Sequence, residues 1–184
     1  MIGVMVPSIF AEISITDDST GGDCTTIGTW DSASKTCTLT SDISDSIVIN
    51  SDGIILDGND HTINVDLLEG NNPVIASYDN NNVIITNFKI SCTPGGGGSA
   101  FPSSPNSYAC HKPGIVSNNG ENIIISNNHI TNLLNHYIQV SYGSPLDNLF
   151  VGGEIYGNIL EKPDWSLNSS WSPAIFAWAN GVKV

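Results

Sequence analysis

Short apolar segments recur along the chain, each introduced by asparagine or glycine and each followed by a polar turn. The shared motif is asparagine, an apolar residue, any residue and a second apolar residue. It occurs at 82–85, 122–125 and 148–151, with glycine in place of asparagine at 53–56 and 181–184. Alternation over three or four residues is typical of short β-strands with one buried face.

Further apolar positions accompany each motif. After the motif comes a polar corner and then one apolar residue, at Ile63, Ile90, Ile130 and Ile155. Before it lies another short strand, predicted at 46–49, 73–77, 114–117, 137–141 and 174–178. Each repeat therefore predicts three strands separated by polar turns.

The spacing of the motifs predicts a solenoid. Their first apolar residues lie 29, 40, 26 and 33 residues apart, at Ile54, Val83, Ile123, Leu149 and Val182. The longest interval contains the segment between Cys92 and Cys110, and without that insertion it approaches the length of its neighbours. Such a period with three short strands is typical of stacked coils, and no segment keeps helical periodicity over three turns.

In such a stack, alternate side chains of each motif point into a narrow apolar interior. The predicted inward pairs are Ile54/Leu56, Val83/Ile85, Ile123/Ile125 and Leu149/Val151. Val83, Ile123 and Leu149 should then lie above one another in adjacent coils. The 21 asparagines suit the corners, because asparagine tolerates left-handed backbone and its stacked amides can bond to one another.

The segment GIILDGNDHTINV, residues 53–65, contains an aspartate- and histidine-bearing corner. Asp57 and His61 stand where the other coils have asparagine and threonine, and Asp60 lies between them. We therefore interpret all three as corner residues of the first coil rather than as reacting groups.

The segments LDGNDHTI (56–63), NVIITNFKI (82–90) and NIIISNNHI (122–130) resemble the right-handed parallel β-helix superfamily. That superfamily includes pectate-lyase-like enzymes, periplasmic copper-maturation β-helix proteins and many archaeal and bacterial surface proteins. The stretch from GDC at residue 22 to TLTSDI is similar to the cysteine-bracketed start of such surface proteins. The resemblance covers residues 22–184 and implies an all-β parallel β-helix of about 4–5 coils. It implies little about activity, because one fold hosts many functions.

The charge balance removes whole classes of partner. There are 18 acidic residues against five lysines and no arginine, for a formal net charge of −13. Nucleic-acid binding and adhesion to anionic membranes are excluded, because both need clustered cations. Calcium is the one ion to consider, at the acidic turn that carries Asp17, Asp18 and Asp23; otherwise no cofactor is expected.

Four cysteines indicate an oxidising, extracellular location. Three connectivities are possible, and proximity favours Cys24–Cys37 and Cys92–Cys110. Residues 1–11 are interpreted as a truncated signal peptide or an N-terminal cap strand, and 12–40 as a disulfide-bracketed cap. The parallel β-helix then spans 41–184, with insertion loops at 92–110 and 159–173.

No catalytic residues can be nominated. Lys89, Lys112 and Lys162 are far apart in the repeat, and Asp57, Asp60, Asp79 and Asp147 do not share a register position. A glycoside hydrolase would need two carboxylates at a fixed separation. No metal ligands are nominated either, since His111, His129 and His136 do not have zinc or copper spacing.

Carbohydrate binding without catalysis has better support. Trp165 and Trp171 lie in the insertion between coils, where exposed aromatic rings would hold sugars, whereas Trp178 follows the strand pattern. Asn168 begins a glycosylation sequon, which suits a surface loop.

We therefore expect a secreted or cell-surface protein, non-catalytic, with a structural, adhesive or glycan-binding task. Its expected partners are surface glycans or further copies of itself. An uncapped coil at Val184 would allow self-assembly end to end into filaments. The alternative is a polysaccharide lyase or hydrolase of the pectate-lyase-like group, which a cleft with clustered carboxylates would favour.

Overall fold

The computed structural model describes residues 12–66, 72–93, 112–131, 133, 137–141, 152–161, 174–178 and 183–184. Within these residues the chain forms sixteen short strands and one helix of a single turn. In chain order the elements are β1 (Ile13–Ile15), α1 (Cys24–Ile27), β2 (Gly28–Asp31), β3 (Thr36–Leu39), β4 (Ile47–Ile49), β5 (Ile55–Asp57), β6 (Thr62–Asp66), β7 (Ile75–Tyr78), β8 (Ile84–Thr86), β9 (Lys89–Thr93), β10 (Ile115–Asn118), β11 (Ile123–Ser126), β12 (His129–Thr131), β13 (Ile138–Ser141), β14 (Gly153–Tyr156), β15 (Ile159–Glu161) and β16 (Ile175–Trp178).

The strands form three sheets that the chain visits in turn. Sheet A has the order β1-β4-β7-β10-β13-β16, sheet B the order β2-β3-β5-β8-β11-β14, and sheet C the order β6-β9-β12-β15. From β4 onward, each circuit of the chain adds one strand to each sheet. Every described strand pair is parallel except the β2–β3 hairpin. The protein is therefore all-β with predominantly parallel sheets, as predicted.

The apolar rows form one continuous core. The motif residues predicted to point inward in the first three coils are at most 2% exposed: Ile54, Leu56, Val83, Ile85, Ile123 and Ile125. The side chains between them, at Ile55, Ile84 and Ile124, are partly exposed and stand in register on the outer surface of sheet B. The strands predicted before each motif are also present, as β4, β7, β10, β13 and β16.

The register predicted for the fourth coil is wrong. Ile123 pairs with Gly153 and Ile125 pairs with Ile155, so the strand above β11 is β14 and not 149–151. Ile155 consequently lies in the row of Ile125, and Leu160 takes the place above Ile130. Leu149 and Val151 themselves lie outside the described residues.

This correction makes the repeat more regular. The pairs Ile55–Ile84, Ile84–Ile124, Ile124–Glu154 and Glu154–Lys183 give circuits of 29, 40, 30 and 29 residues. The corner between sheets A and B is four or five residues long in the earlier circuits, whereas residues 142–152 separate β13 from β14. An additional insertion at this corner therefore displaces the fourth strand from the position that the motif predicts.

The corner between sheets B and C is two residues long in three circuits. Its first residue has left-handed backbone each time, with φ of 59° at Asn87, 55° at Asn127 and 65° at Gly157. Asparagine and glycine adopt this conformation at low cost. The first circuit has four corner residues instead, Gly58 to His61, between β5 and β6.

Buried amides connect the circuits at this corner. The Asn128 side chain is 1% exposed, and its Nδ2 donates to the Ile85 carbonyl at 3.2 Å and to Asn158 Oδ1 at 3.0 Å. Its Oδ1 accepts the Phe88 N–H at 3.0 Å. Each of these bonds joins neighbouring circuits, so the asparagine rows align the stack as well as turning the chain.

The N-terminal segment covers one end of the core. Cys24 of α1 and Cys37 of β3 form a disulfide as predicted, with both side chains fully buried. Beside the disulfide, β2 and β3 form an antiparallel hairpin. Closing a loop of this length contributes roughly 3 kcal/mol in the chain-entropy model.

The two segments predicted as insertion loops begin with strand residues. β9 includes Cys92 and extends to Thr93, and β15 occupies Ile159–Glu161. Cys92 is disulfide-bonded, whereas Cys110 lies outside the described residues. No helix in the part of the chain that the structure describes is long and apolar enough to span a membrane.

Candidate functional site

The outer surfaces of the three sheets differ in polarity and exposure. Outward-facing Ala76 and Val116 of sheet A are only 2% and 4% exposed. On sheet B, one outer row has isoleucines between Thr36 and Glu154, and a second outer row carries Thr38, Asp57 and Thr86. Sheet C alternates buried Ile63, Ile90 and Ile130 with polar outward side chains. We call this outer surface the C face and define it by six residues on β6, β9 and β12: Thr62, Asn64, Lys89, Ser91, His129 and Thr131.

The strand register places these side chains in two rows. Thr62, Lys89, His129 and Ile159 lie in line across the four strands. Asn64 pairs with Ser91, and Thr131 with Glu161, to form the second row. Ser91 Oγ donates to Asn64 Oδ1 at 3.3 Å. Because neighbouring strands are about 4.8 Å apart, each row presents one side chain at that interval.

The long corner of the first circuit borders the C face and carries its closest polar contacts. His61 Nδ1 lies 3.3 Å from Asp42 Oδ1, and the same oxygen accepts the Thr62 N–H at 2.8 Å. The Thr62 N–H lowers the pKa of Asp42 from its ordinary value, with smaller contributions from His61 and Lys89. The hydrogen bond from the Thr62 N–H holds the Asp42 carboxylate beside the His61 imidazole.

Two further pairs of a basic nitrogen and a carboxylate lie on or beside the C face. Lys89 Nζ is 4.0 Å from Asp60 Oδ1, and the two side chains are 51% and 86% exposed. His129 Nε2 is 3.2 Å from Glu161 Oε2, without hydrogen-bond geometry. Exposed pairs of this kind stabilise a fold by at most about 1 kcal/mol. Their main effect is to place a basic nitrogen beside each carboxylate.

Asp57 and Asp79 serve the stack rather than a site. Asp57 Oδ1 accepts the Asn59 N–H and the Asn87 amide, both at 2.9 Å. Asp79 has left-handed backbone, and its carboxylate accepts the Asn119 amide at 3.0 Å. Asp147 lies outside the described residues.

The acidic turn considered for calcium uses its carboxylates internally. Asp18 accepts hydrogen bonds from the backbone N–H groups of Thr20 and Gly22 and from the hydroxyls of Thr16 and Thr20. Asp17 lies 2.6 Å from Lys35, and Asp23 accepts a backbone N–H. Among the residues that the structure describes, no three His, Cys, Asp or Glu side chains are grouped to hold a metal ion.

The remaining candidate site residues from the sequence lie outside the residues that the structure describes. Trp165, Trp171, the sequon residue Asn168, and the histidines His111 and His136 are all among the residues not described. Sequence reasoning missed Asp42 and Glu161, which meet His61 and His129 across 19 and 32 residues of chain. No sequence signal identified the Asp42–His61 contact, because it depends on the bridge between Ile43 and Ile63 in the folded chain.

Comparison with known proteins gives no family assignment. No protein-family model, no curated protein and no solved structure shows a significant match to this chain.

Proposed function

We propose that the protein is a right-handed parallel β-helix that acts outside the cell as a non-catalytic structural, adhesive or glycan-binding surface module. The right-handed path is supported by the strong preference of parallel crossovers for that hand. The Cys24–Cys37 disulfide supports an oxidising location.

The observation that carries the proposal is the use of corner polar groups in bonds between circuits. Asn81 N–H bonds to Asp52 Oδ1 at 2.8 Å, and Glu121 N–H bonds to Asn81 Oδ1 at 2.9 Å in the next circuit. Asn122 Nδ2 likewise donates to Asn82 Oδ1 at 3.1 Å. Side chains engaged in this way align a rigid scaffold and leave the sheet surfaces for contact with partners.

The test is exposure of the purified protein to neutral, anionic and cationic polysaccharides, with binding and depolymerisation measured in parallel. The proposal expects binding or simple surface adhesion with no release of new reducing ends or unsaturated sugars. Sustained depolymerisation of any of them would contradict it.

One observation favours the alternative of a polysaccharide lyase or hydrolase. The Asp42 carboxylate holds Nδ1 of His61, an arrangement that suits a general base, and Lys89 belongs to the neighbouring strand. Under this alternative, His61→Ala would abolish depolymerisation, whereas His129→Ala would leave most of it.

End-to-end assembly into filaments remains part of the proposal. At the N-terminal end of the stack, within the described residues, β2 occupies the outer edge of β3. Ile43 likewise bridges Ile63 at the edge of sheet C, so both sheets are already partly covered there. Sedimentation velocity over a wide concentration range tests it. Growth into long species supports filaments, and a monomer at every concentration contradicts them.

A further inference from the structure

The C face is polar across β6, β9 and β12, and four of its six side chains are short, whereas Lys89 and His129 are longer. Thr62, Ser91 and Thr131 are partly exposed, and Asn64 is exposed. Each carries a hydroxyl or amide that both donates and accepts hydrogen bonds. Short groups of this kind on flat strands leave the surface shallow, so a long flexible polymer can lie against it without entering a pocket.

The rows of the C face repeat at the strand spacing. Four strands at about 4.8 Å intervals extend roughly 14 Å along the stack. The spacing between neighbouring strands is close to the length that one sugar ring adds to an extended pyranose chain. A polysaccharide lying along the stack would therefore present equivalent hydroxyls to successive strands.

An apolar side chain at one edge of the face suits the flat side of a sugar ring. Ile159 is 54% exposed at the end of the first row. Tyr156 is 51% exposed but belongs to β14, where the register places it on the outer surface of sheet B.

The charge pattern selects among polysaccharides. The Asp60 carboxylate lies 4.0 Å from the Lys89 nitrogen, whereas the carboxylates of Asp42 and Glu161 lie beside histidine nitrogens. The chain as a whole carries a formal charge of −13, which repels polyanions at long range. The surface is thus better suited to an uncharged chain than to a polyuronate.

We propose that the C face binds a linear uncharged polysaccharide, extended along the stack with about one sugar per strand. This inference rests on the proposed function and assigns its glycan-binding surface. Hydroxyl and amide groups of Asn64, Ser91 and Thr131 bond to the sugar hydroxyls, and Ile159 contacts the ring at one end.

The test compares Ser91→Tyr with Thr38→Tyr by calorimetric titration with soluble β-1,4-glucan and β-1,4-mannan oligosaccharides. Ser91 is central on the C face, and Thr38 is an equally partly exposed strand hydroxyl on sheet B. We expect wild-type affinity to rise with chain length up to about four or five sugars. Ser91→Tyr should weaken it at least tenfold, and Thr38→Tyr should leave it unchanged. If Ser91→Tyr does not fold, Thr131→Tyr replaces it.

Polygalacturonate and chitosan oligosaccharides serve as the charged probes, and product release is followed in the same samples. The inference is overturned if neither neutral probe binds or if a charged probe binds more tightly. It is also overturned if Ser91→Tyr and Thr38→Tyr bind the neutral probes equally well. Depolymerisation would instead contradict the proposed non-catalytic function, whether or not the polysaccharide binds to the C face.

Discussion

Asparagine has two tasks in this chain, which the backbone angles and hydrogen bonds distinguish. Asn127 is exposed and has a φ of 55°, so its task is to turn the backbone. Asn128, the next residue, is buried and bonds to the circuits on both sides. The composition predicted asparagine corners. It did not show which residue of each pair would point inward, because that depends on the position of neighbouring circuits.

Asn128→Ala should destabilise the protein by about 3 kcal/mol. The substitution leaves the Phe88 N–H and the Ile85 carbonyl without their side-chain partner, and each unsatisfied buried group costs about 1–3 kcal/mol. Asn50→Ala is the matched control, since the exposed Asn50 amide makes one bond, to Ser14 Oγ, and should cost at most about 1 kcal/mol. Urea unfolding measures both, and equal losses would contradict the account.

Asp18 makes the N-terminal turn sensitive to acid. The Gly22 N–H, followed by the donors of Thr20 and Thr16, lowers the pKa of Asp18 well below its ordinary value. A carboxylate with a lowered folded-state pKa contributes stability above its unfolded pKa of about 4, and that contribution disappears as the pH falls through the folded value.

Asp18→Asn should therefore flatten the loss of stability between about pH 4 and pH 2, because only the wild-type turn loses an ionised acceptor there. Thermal unfolding over this range measures the effect. Ser19→Asn, a change at an exposed neighbouring residue, should keep the wild-type slope. An identical slope for Asp18→Asn would contradict the role assigned to the turn.

At the scale of strands, the sequence predicted well which segments form strands. It predicted less well which strands pair with one another. The alternation around 83–85 and 123–125 identified β8, β11 and their buried rows. The segment 148–151 has the same alternation, yet β14 begins at Gly153. Apolar periodicity reports which side chains can be buried. It does not report corner length, and an insertion of several residues moves the register without changing the pattern.

The corrected register can be tested by engineered disulfides. Ile124 and Glu154 are paired outward positions on β11 and β14, and paired strands bring Cα atoms to about 4.8 Å, within the range of a disulfide. Ile124→Cys with Glu154→Cys should cross-link within one molecule under mild oxidation. Ile124→Cys with Phe150→Cys represents the register predicted from the motif and should cross-link poorly. Preferential cross-linking of the second couple would contradict the observed pairing.

The contacts beside the C face could not be predicted for the same physical reason. Asp42 reaches His61 only because the Ile43–Ile63 bridge positions one circuit against the next. The sequence interpretation of His61 as a corner residue remains consistent with its position after Asp60. Its pairing with a carboxylate is a property of the stacked chain.

For the whole molecule, the central claim is that successive circuits lie above one another at a constant interval. Sheet A contains the longest parallel stack, since all six of its strands, from β1 to β16, are parallel. Ser14, Gln139 and Phe176 occupy one outward row, with four strand intervals from Ser14 to Gln139 and five to Phe176.

The most direct measurement is therefore pulsed electron paramagnetic resonance between nitroxides at these positions. Labels at Ser14→Cys/Gln139→Cys should be about 19 Å apart and those at Ser14→Cys/Phe176→Cys about 24 Å apart, because each circuit adds about 4.8 Å. Narrow distributions that differ by one strand interval would agree with the stack. Broad distributions, or a second distance no longer than the first, would contradict it.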